Sequence, residues 1–508
     1  MVKLVIWDLD DTLWRGTLAE GDDVELFERR AQVIRALNRH GVVSSICSKN
    51  SFEGARAKLT DLGLWDEFVF PKIAFEPKPQ AIAGLLADMQ LRAADTLFID
   101  DNPINLHEAK FVLPELNVLD ITAPGSDEAL EAILADQPAS RNRLAEYRQL
   151  EQRKQDRLAV GPLSDEEFLH SCEIRACPVA MMANLDFIDR IVELVNRSNQ
   201  LNYTQSRIDA DVLRNEITSG YLNYYCWSIF VEDKYGDHGL VGFVMIDRNT
   251  CQFRHFVFSC RVMHMGIENF ALRVVGKFFP EKVVPAAWRQ RFGWSEAQWV
   301  TERSYEDPET RQSLFAGQGL GITAKPQLRI MCACQSGGLA HYSKARAEID
   351  FDIWPRLFDL KRFADETVDD ADLPPFLAYG AGTDYKDEAW PELAHLLDGE
   401  LYQTCLQRMC ERIQKRGINL LVLLPPENLP GHQYGPEGLT RERTIRYNAL
   451  WRDAVQQYPC VTTLDIQEIC GPEAMVDVNH HRPAALETVA RWVDIWYSHV
   501  KSMDAAAA

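Results

Sequence analysis

Two groups of acidic residues are the parts of this chain best suited to chemistry. Asp8 and Asp10 follow the apolar run LVIW, and Asp100 and Asp101 close the run TLFIDD. Such apolar runs predict buried β-strands, and ligands of α/β proteins bind beyond the carboxyl ends of their strands. Carboxylates that meet there repel one another unless a hard cation lies between them, and Mg²⁺ is the usual cation beside phosphate. The two groups therefore predict a phosphoryl-transfer site.

The composition is that of an ordinary globular protein, with 508 residues and a formal net charge of −21. An acidic surface repels nucleic acid, so we expect no nucleic-acid partner. The twelve cysteines show no paired zinc spacing. We expect free thiols, a cytoplasmic location and no membrane association, because the first strand begins near the amino terminus and no apolar run could span a bilayer.

The order of apolar and helical segments predicts an α/β multidomain protein. Residues 1–125 alternate strands with helices, which predicts a parallel sheet. Residues 126–164 are charged and helical and form a predicted linker, whereas 165–320 mix helices with antiparallel-looking strands. Residues 327–500 return to an α/β pattern, and 501–508 are predicted to be a disordered tail.

The first segment resembles the haloacid dehalogenase superfamily through four motifs in order. These are DLDDT after a strand, a strand that ends at Ser48, a lone Lys78, and a strand that ends in Asp-Asp. The resemblance implies a parallel Rossmann-like sheet in which Asp8 is the nucleophile and Asp10 the acid/base. Ser48 and Lys78 would hold the phosphoryl oxygens. The implied Mg²⁺ ligands are Asp8, Asp10, Asp100 and Asp101. Helix caps or turns would also explain single carboxylates, but four ordered motifs rarely coincide by chance.

Four motifs are similar to those of the FkbH-like branch of that superfamily: DLDDTLWRGTL, ICSKN, EPKP and FIDDNPIN. Little sequence separates the first strand from Ser48, so we expect no large cap domain and an open site. The resemblance implies dephosphorylation of a 1,3-bisphosphoglycerate-like acid. The glyceryl group would then pass through a cysteine thioester to the phosphopantetheine arm of an acyl carrier protein, in polyketide or other secondary-metabolite biosynthesis.

Cys47 is the first candidate for that cysteine, because it directly precedes Ser48. Mg²⁺ and Lys78 would favour a thiolate there. Alternation along VVSSICS leaves a second interpretation open, in which Cys47 is a small side chain that faces the core.

The middle segment is similar to FkbH-like proteins and resembles an acetyltransferase (GNAT) fold. In such folds a strand ends in a turn that leads into a helix and holds a pyrophosphate or phosphopantetheine. SCRVMHMGIEN has this form, with Arg261 and Gly266 as the predicted cofactor-binding residues and Cys260 as a second candidate thiol. The sequence DKYGDHG is either a polar cluster or a simple hairpin turn.

The last segment resembles SGNH hydrolases and acyltransferases. Asp477 precedes His480 by three residues and lies before a final helix, and LRIMCACQSGGL offers Ser336 as nucleophile. In that family the aspartate orients the histidine as base. Cys334 is a rival nucleophile on the same strand end, and His481 is a rival base. Asp477 and His480 could instead belong to the N-cap region of the final helix.

Three functions follow from these patterns. The first is an enzyme that converts a phosphorylated three-carbon acid into an acyl thioester on a carrier protein. The second is a phosphatase joined to an esterase or acyltransferase that acts on a sugar or glycan precursor. In the third, the later segments form a docking scaffold without activity of their own.

Overall fold

The structure is a computed structural model. It describes residues 2–21, 23–135, 142–159, 165–218, 223–278, 295–317, 323, 325–351, 373–390, 392–397, 400–430, 434 and 439–507.

The contacts divide the chain into two compact units. The first comprises Met1–Glu173 with Asp233–His238, and the second comprises Ile174–Glu232 with Gly239–Ala508. This division differs from the three predicted domains in two ways. The predicted linker is part of the first unit, because Leu150 packs in its core. The middle and last segments lie in one unit, because residues of both share one hydrophobic core.

The first unit contains a five-stranded sheet in the order β5-β4-β1-β6-β7, with every strand pair parallel. A two-stranded hairpin of β2 and β3 lies between β1 and β4 in sequence. The strands are β1 (Leu4–Trp7), β2 (Trp14–Arg15), β3 (Glu25–Leu26), β4 (Val43–Ser48), β5 (Lys72–Ile73), β6 (Thr96–Asp100) and β7 (Asn117–Asp120). The parallel α/β architecture predicted for this region is confirmed.

Helices cover both faces of this sheet. On β1, Leu4 and Ile6 pack in one core and Val5 and Trp7 in the other, as the alternation of side chains along a strand requires. The helices are Glu28–Arg39, Phe52–Asp61, Lys78–Met89, Pro103–Val112, Ser126–Ala135, Leu144–Ala159 and Asp165–Ser171.

The second unit contains two larger sheets. One is mostly antiparallel, in the order β11-β10-β9-β8-β12, and the other is parallel, in the order β14-β13-β15-β16-β17. The antiparallel set is β8 (Arg175–Ala180), β9 (Tyr224–Asp233), β10 (Gly236–Asp247), β11 (Phe253–Phe258) and β12 (Thr301–Glu302). The parallel set is β13 (Leu328–Met331), β14 (Ile349–Phe351), β15 (Phe376–Gly380), β16 (Asn419–Leu424) and β17 (Val461–Asp465). A small hairpin of β18 (Met475–Asp477) and β19 (His480–His481) follows.

The helices of the second unit precede, connect and follow these strands. They are Ile188–Arg197, Ala210–Thr218, Ile267–Phe278, Pro308–Gly317, Ser336–Tyr342, Leu401–Arg416, Arg441–Gln457, Ile466–Cys470 and Pro483–Ala507. The last helix corrects the predicted disordered tail at 501–508, since it continues to Ala507. Alanine has the highest helix propensity, so the terminal alanines extend the helix. None of the described helices combines the length and apolar character needed to cross a bilayer.

Candidate active site

The acidic residues meet where the strand order of the first sheet reverses. From β1 the chain adds β4 and β5 on one side and then β6 and β7 on the other. Adjacent strands β1 and β6 therefore have their helical connections on opposite faces, which opens a crevice at their carboxyl ends. Asp8 follows β1 and Asp100 ends β6, and the backbone N–H of Asp8 donates to Ile99 O at 3.0 Å.

Lys78 lies between the two carboxylates. Its Nζ is 2.8 Å from Asp8 Oδ1 and 2.6 Å from Asp100 Oδ2, and all three side chains are buried. Lys78 begins the helix Lys78–Met89, where Pro77 and Pro79 fix the backbone at the helix start. Burial alone would lower the pKa of Lys78, but the charges of Asp8 and Asp100 outweigh it and hold that pKa above its usual value.

The same burial acts on Asp8. Burial, opposed by the ammonium of Lys78 and assisted by the charge of Asp100, raises the pKa of the Asp8 carboxyl to about 6. Burial and the charge of Asp100 also raise the pKa of Asp101. The cluster carries more negative charge than Lys78 alone balances.

The donor set fits a hard cation. Asp8, Asp100 and Asp101 each offer one carboxylate oxygen, and these oxygens lie within 4.8 Å of one another. Mg²⁺ prefers oxygen ligands, and in phosphate-binding sites proteins usually supply them from one or two carboxylates. A cation there would supply the positive charge that Lys78 does not provide. Three of the four predicted Mg²⁺ ligands are therefore brought together.

The carboxylate of Asp10 lies outside this cluster, and the role of Asp10 as a metal ligand stays a prediction. Its Oδ1 accepts from Trp14 Nε1 at 2.9 Å and from Leu18 N at 3.1 Å, and its Oδ2 accepts from Asn50 Nδ2 at 2.9 Å. These donors fix the group beside the cluster, in keeping with a role as acid/base.

Ser48 ends β4, the strand next to β1, and is 3% exposed. Its Oγ accepts from Asn50 Nδ2 at 3.2 Å, so Asn50 links Ser48 to Asp10. Asn105 donates to Asp100 Oδ1 at 3.0 Å and orients that carboxylate. Sequence reasoning missed both asparagines, although each lies within a motif that carried the resemblance, ICSKN and FIDDNPIN.

Cys47 lies in the core rather than in the site. It packs with Leu4, Ile6 and Val43, and it is 1% exposed. Burial raises the pKa of the Cys47 thiol to about 12, despite the opposing charge of Lys78. The expected thiolate is therefore disfavoured, and the alternative of a core-facing side chain agrees with the structure.

The predicted cofactor turn of the second unit lies between β11 and the helix Ile267–Phe278. Arg261 Nε donates to Ser259 Oγ at 3.0 Å, and Cys260 is half-buried. Gly266 has φ +76°, and a Cβ there would lie 2.6 Å from the indole of Trp299. Gly266 thus allows close packing of Trp299, and the binding of an anion by this turn stays a prediction.

Asp477 and His480 are paired as predicted, but Ser336 is not their partner. His480 Nδ1 lies 2.7 Å from Asp477 Oδ2. Ser336 is fully buried, and its Oγ accepts from the backbone N–H of Cys332 at 2.7 Å. This contact assigns Ser336 to the turn that starts the helix Ser336–Tyr342, which corrects its predicted role as nucleophile.

His481, the rival base, points to a different neighbour. Its backbone N–H donates to Gln335 Oε1 at 3.2 Å, and its ring Nδ1 lies 3.3 Å from the same oxygen. Burial, assisted by the neighbouring His480, lowers the pKa of His481 to about 4.

The similar solved structures described below each cover about a quarter of the chain. No protein family and no curated protein matches it. Among solved structures, the chain is similar to the N-terminal part, containing the phosphatase domain, of a Bacteroides fragilis protein complexed with Mg. That match has 20% identity and a TM-score of 0.24, and it covers 27% of this chain and 42% of the other.

Two further structures match over the same share of the chain. One is 3-deoxy-D-manno-octulosonate 8-phosphate phosphatase from Moraxella catarrhalis, in complex with a magnesium ion, a phosphate ion and a KDO molecule. It has 17% identity and a TM-score of 0.21, and the match covers 27% of this chain and 87% of the other. The other is a haloacid dehalogenase-like hydrolase from Xanthomonas campestris, with 16% identity, a TM-score of 0.21 and 27% and 99% covered. Likeness at this level assigns no activity to this chain.

Proposed function

We propose that the first unit catalyses Mg²⁺-dependent phosphoryl transfer through an aspartyl-phosphate at Asp8. The observation that carries this proposal is the convergence of Asp8, Asp100 and Asp101 around Lys78 at the reversal point of a parallel sheet. A bound Mg²⁺ would neutralise charge on the phosphoryl oxygens and leave the Asp8 carboxylate free to approach phosphorus.

The residues supply the remaining steps. Asp8 attacks phosphorus, and the bond to the leaving oxygen breaks while protonated Asp10 gives that oxygen its proton. Asp10 then takes a proton from water, which attacks the phosphoaspartate, releases phosphate and restores Asp8. Ser48 and Lys78 would hold the phosphoryl oxygens through their hydroxyl and ammonium groups, and the contact of Lys78 with Asp8 supports this role.

The test is release of p-nitrophenolate from p-nitrophenyl phosphate by the full chain with Mg²⁺. Asp8→Asn should lower the rate roughly 10⁴-fold or more, the scale of losing a nucleophile. Asp120→Asn is the matched control, because Asp120 ends the neighbouring strand β7 outside the cluster. Retained Mg²⁺-dependent release by Asp8→Asn would contradict the phosphoaspartyl mechanism.

For the substrate we propose a phosphorylated three-carbon acid of the 1,3-bisphosphoglycerate type, whose glyceryl group passes to the phosphopantetheine arm of an acyl carrier protein. The FkbH-like motifs support this, as does the form of the site. Between β1 and β4 the described residues form the β2–β3 hairpin, a single 3-10 turn at Leu18–Glu20 and the helix Glu28–Arg39. These short elements form no cap domain, which supports a substrate borne by another protein.

Burial of Cys47 disfavours it as the carrier of the glyceryl group, which leaves half-buried Cys260 and Cys334 as candidates. Intact-protein mass spectrometry after incubation with 1,3-bisphosphoglycerate and a holo carrier protein tests this step. A glyceryl mass on the carrier supports the proposal. Phosphate release without any glyceryl adduct would instead support the second candidate, a phosphatase joined to an esterase or acyltransferase for a sugar or glycan precursor, which the Asp477–His480 pair favours.

A further inference from the structure

A cavity of about 550 Å³ lies in the second unit, at the amino-terminal ends of the parallel strands. Its lining includes residues 325–327, which lead into β13, and 373–375, which lead into β15. Ligands of α/β proteins ordinarily bind at the opposite, carboxyl ends of the strands. The volume is nevertheless that of a small-molecule pocket, for which roughly 300–1,000 Å³ is usual. The cavity is therefore a candidate for a further binding site.

Arg329 and Asp350 lie side by side near the edge of the parallel sheet. The register of β13 and β14 pairs Arg329 with Asp350, so both side chains point to the same face. Nη2 of Arg329 donates to Asp350 Oδ2 at 3.0 Å. Leu328 and Ile330, the neighbours of Arg329 on β13, instead pack in the hydrophobic core. The polar pair thus faces the cavity, which both residues line.

The helix Pro308–Gly317 brings a second guanidinium group to the same carboxylate. Arg311 Nη2 donates to Asp350 Oδ2 at 3.2 Å, and its Nη1 donates to the backbone oxygen of Phe351 at 2.9 Å. The side chains of Arg311 and Asp350 are each 12% exposed. Four residues of this helix line the cavity at the i, i+3, i+4 and i+7 positions of one helix face: Pro308, Arg311, Gln312 and Phe315.

The lining of the cavity carries an excess of positive charge. Its cations are Arg311, Lys325, Arg329 and Arg346, and Asp350 is the only carboxylate among the described residues that line it. Arg346 is neutralised by Asp186, to whose Oδ2 its Nη2 donates at 2.6 Å. Asp350 offsets one of the three remaining charges, which leaves two positive charges in excess. Such an excess is unexpected in a chain with a formal net charge of −21 and indicates an anionic ligand.

Apolar side chains form much of the remaining wall. They are Phe315, Ile349, Phe351 and Leu373, together with Pro326, Pro374 and Pro375. The guanidinium of Arg346 lies 5.2 Å from the ring centroids of Phe315 and Phe351, so it packs into this wall. An inorganic anion would leave the apolar wall without a contact. An organic anion would satisfy both the cationic and the apolar surface.

We propose that this cavity binds a small organic phosphate monoester. The two excess positive charges match the dianion of such a monoester, and guanidinium groups bind phosphate oxygens in bidentate pairs. Lys325 is exposed and supplies a point charge at the rim, while the apolar wall contacts the organic part.

The described lining residues include no serine, cysteine or histidine, so the site binds its ligand and does not react with it. This proposal is independent of the phosphoryl-transfer proposal, because all of its residues lie in the second unit.

The test is isothermal titration calorimetry of the full chain with phenylphosphonate, whose carbon–phosphorus bond resists hydrolysis by a phosphatase. The buffer contains no divalent cation, so that the acidic cluster of the first unit repels this probe. We expect binding of phenylphosphonate, binding of inorganic phosphate that is at least about tenfold weaker, and no binding of benzyl alcohol. Absence of phenylphosphonate binding would overturn the proposal, as would equal affinity for inorganic phosphate or tighter binding of phenylacetate.

Variants locate the bound probe. Arg329→Gln should weaken phenylphosphonate binding roughly 10–100-fold, the scale of a lost hydrogen bond to a charged group. Lys325→Glu changes an exposed side chain and should weaken binding at least about tenfold, because a like charge then faces the phosphonate.

Lys344→Glu is the matched control, since Lys344 is an exposed lysine of the same unit outside the lining, and it should bind the probe as the wild type does. Circular dichroism melts establish that each variant is folded. Wild-type affinity in both Arg329→Gln and Lys325→Glu would place the probe elsewhere and overturn the proposal.

Discussion

The ammonium of Lys78 lies 2.6 Å from the Asp100 carboxylate, and both groups are almost completely buried. Breaking a buried ion pair from one side leaves an uncompensated charge, which is far more costly than losing an exposed pair. The two carboxylates around Lys78 therefore make this single side chain important for folding as well as for phosphate binding.

Lys78→Ala should lower the free energy of unfolding by about 3–5 kcal/mol in a chelator. Urea denaturation of the full chain measures this change. Lys72→Ala is the matched control, because Lys72 forms a partly exposed pair with Asp88 and should cost about 0–1 kcal/mol. Added Mg²⁺ should restore part of the stability of Lys78→Ala, since a cation replaces the lost charge. Equal losses for the two variants would contradict this account.

Mg²⁺ affinity should fall as the pH is lowered through about 6, because a proton on the Asp8 carboxyl competes with the cation. Above that pH the carboxylate is ionised and the affinity should level off, whereas below it one competing proton costs about tenfold per pH unit. Isothermal titration calorimetry gives the profile. Asp120→Asn should leave the profile unchanged, and an affinity independent of pH between 4 and 7 would count against Asp8 as a ligand.

Asn105→Ala should weaken Mg²⁺ binding by about 10–100-fold, the usual effect of removing a group that orients a metal ligand. The reason is that Asn105 donates to the carboxylate of Asp100 at 3.0 Å. Asn117→Ala serves as control, because Asn117 bonds backbone carbonyls at the opposite end of β6. Similar Mg²⁺ affinities for the two variants would show that the orientation of Asp100 does not matter.

Cys47 should resist alkylation by iodoacetamide at pH 8 in the folded protein, because its pKa of about 12 leaves almost no thiolate. Cys251, which is half-buried, should be labelled before Cys47, and both should react in the denatured chain. Cys47→Ala should retain p-nitrophenyl phosphatase activity. Labelling of Cys47 as fast as Cys251 would revive it as a thiol carrier.

Asp477→Asn should lower the pKa of His480 by about one to three units, because it removes a negative charge in contact with the ring. The raised pKa, about 9 against an ordinary 6.5, means that the Asp477–His480 pair contributes its full stability below pH 6.5. That contribution is lost as the pH rises through 9.

NMR titration of the His480 ring, assigned by its absence in His480→Gln, measures the shift. The control Glu468→Gln removes an exposed carboxylate of the helix Ile466–Cys470 and should leave the titration unchanged. A pKa for His480 that is the same with and without Asp477 would contradict the pairing.

The sequence by itself determined the parallel α/β sheet and the positions of Asp8, Ser48 and Asp100 at its strand ends. Apolar runs that end in polar residues fix where a strand stops, and the carboxyl ends of parallel strands share one edge. The resemblance to SGNH hydrolases implied the pairing of Asp477 with His480, and their ring and carboxylate are in contact.

Only the tertiary structure decided which side chains face a site and which face a core. Cys47 and Ser48 are adjacent, yet Cys47 packs in the core with Leu4. Ser48 instead accepts from Asn50, which also donates to Asp10. Ser336 follows β13, yet it is fully buried and its Oγ accepts from the backbone N–H of Cys332. Alternation along β4 points Cys47 and Ser48 to opposite faces, but only the packing of helices against the sheet decides which face is the core.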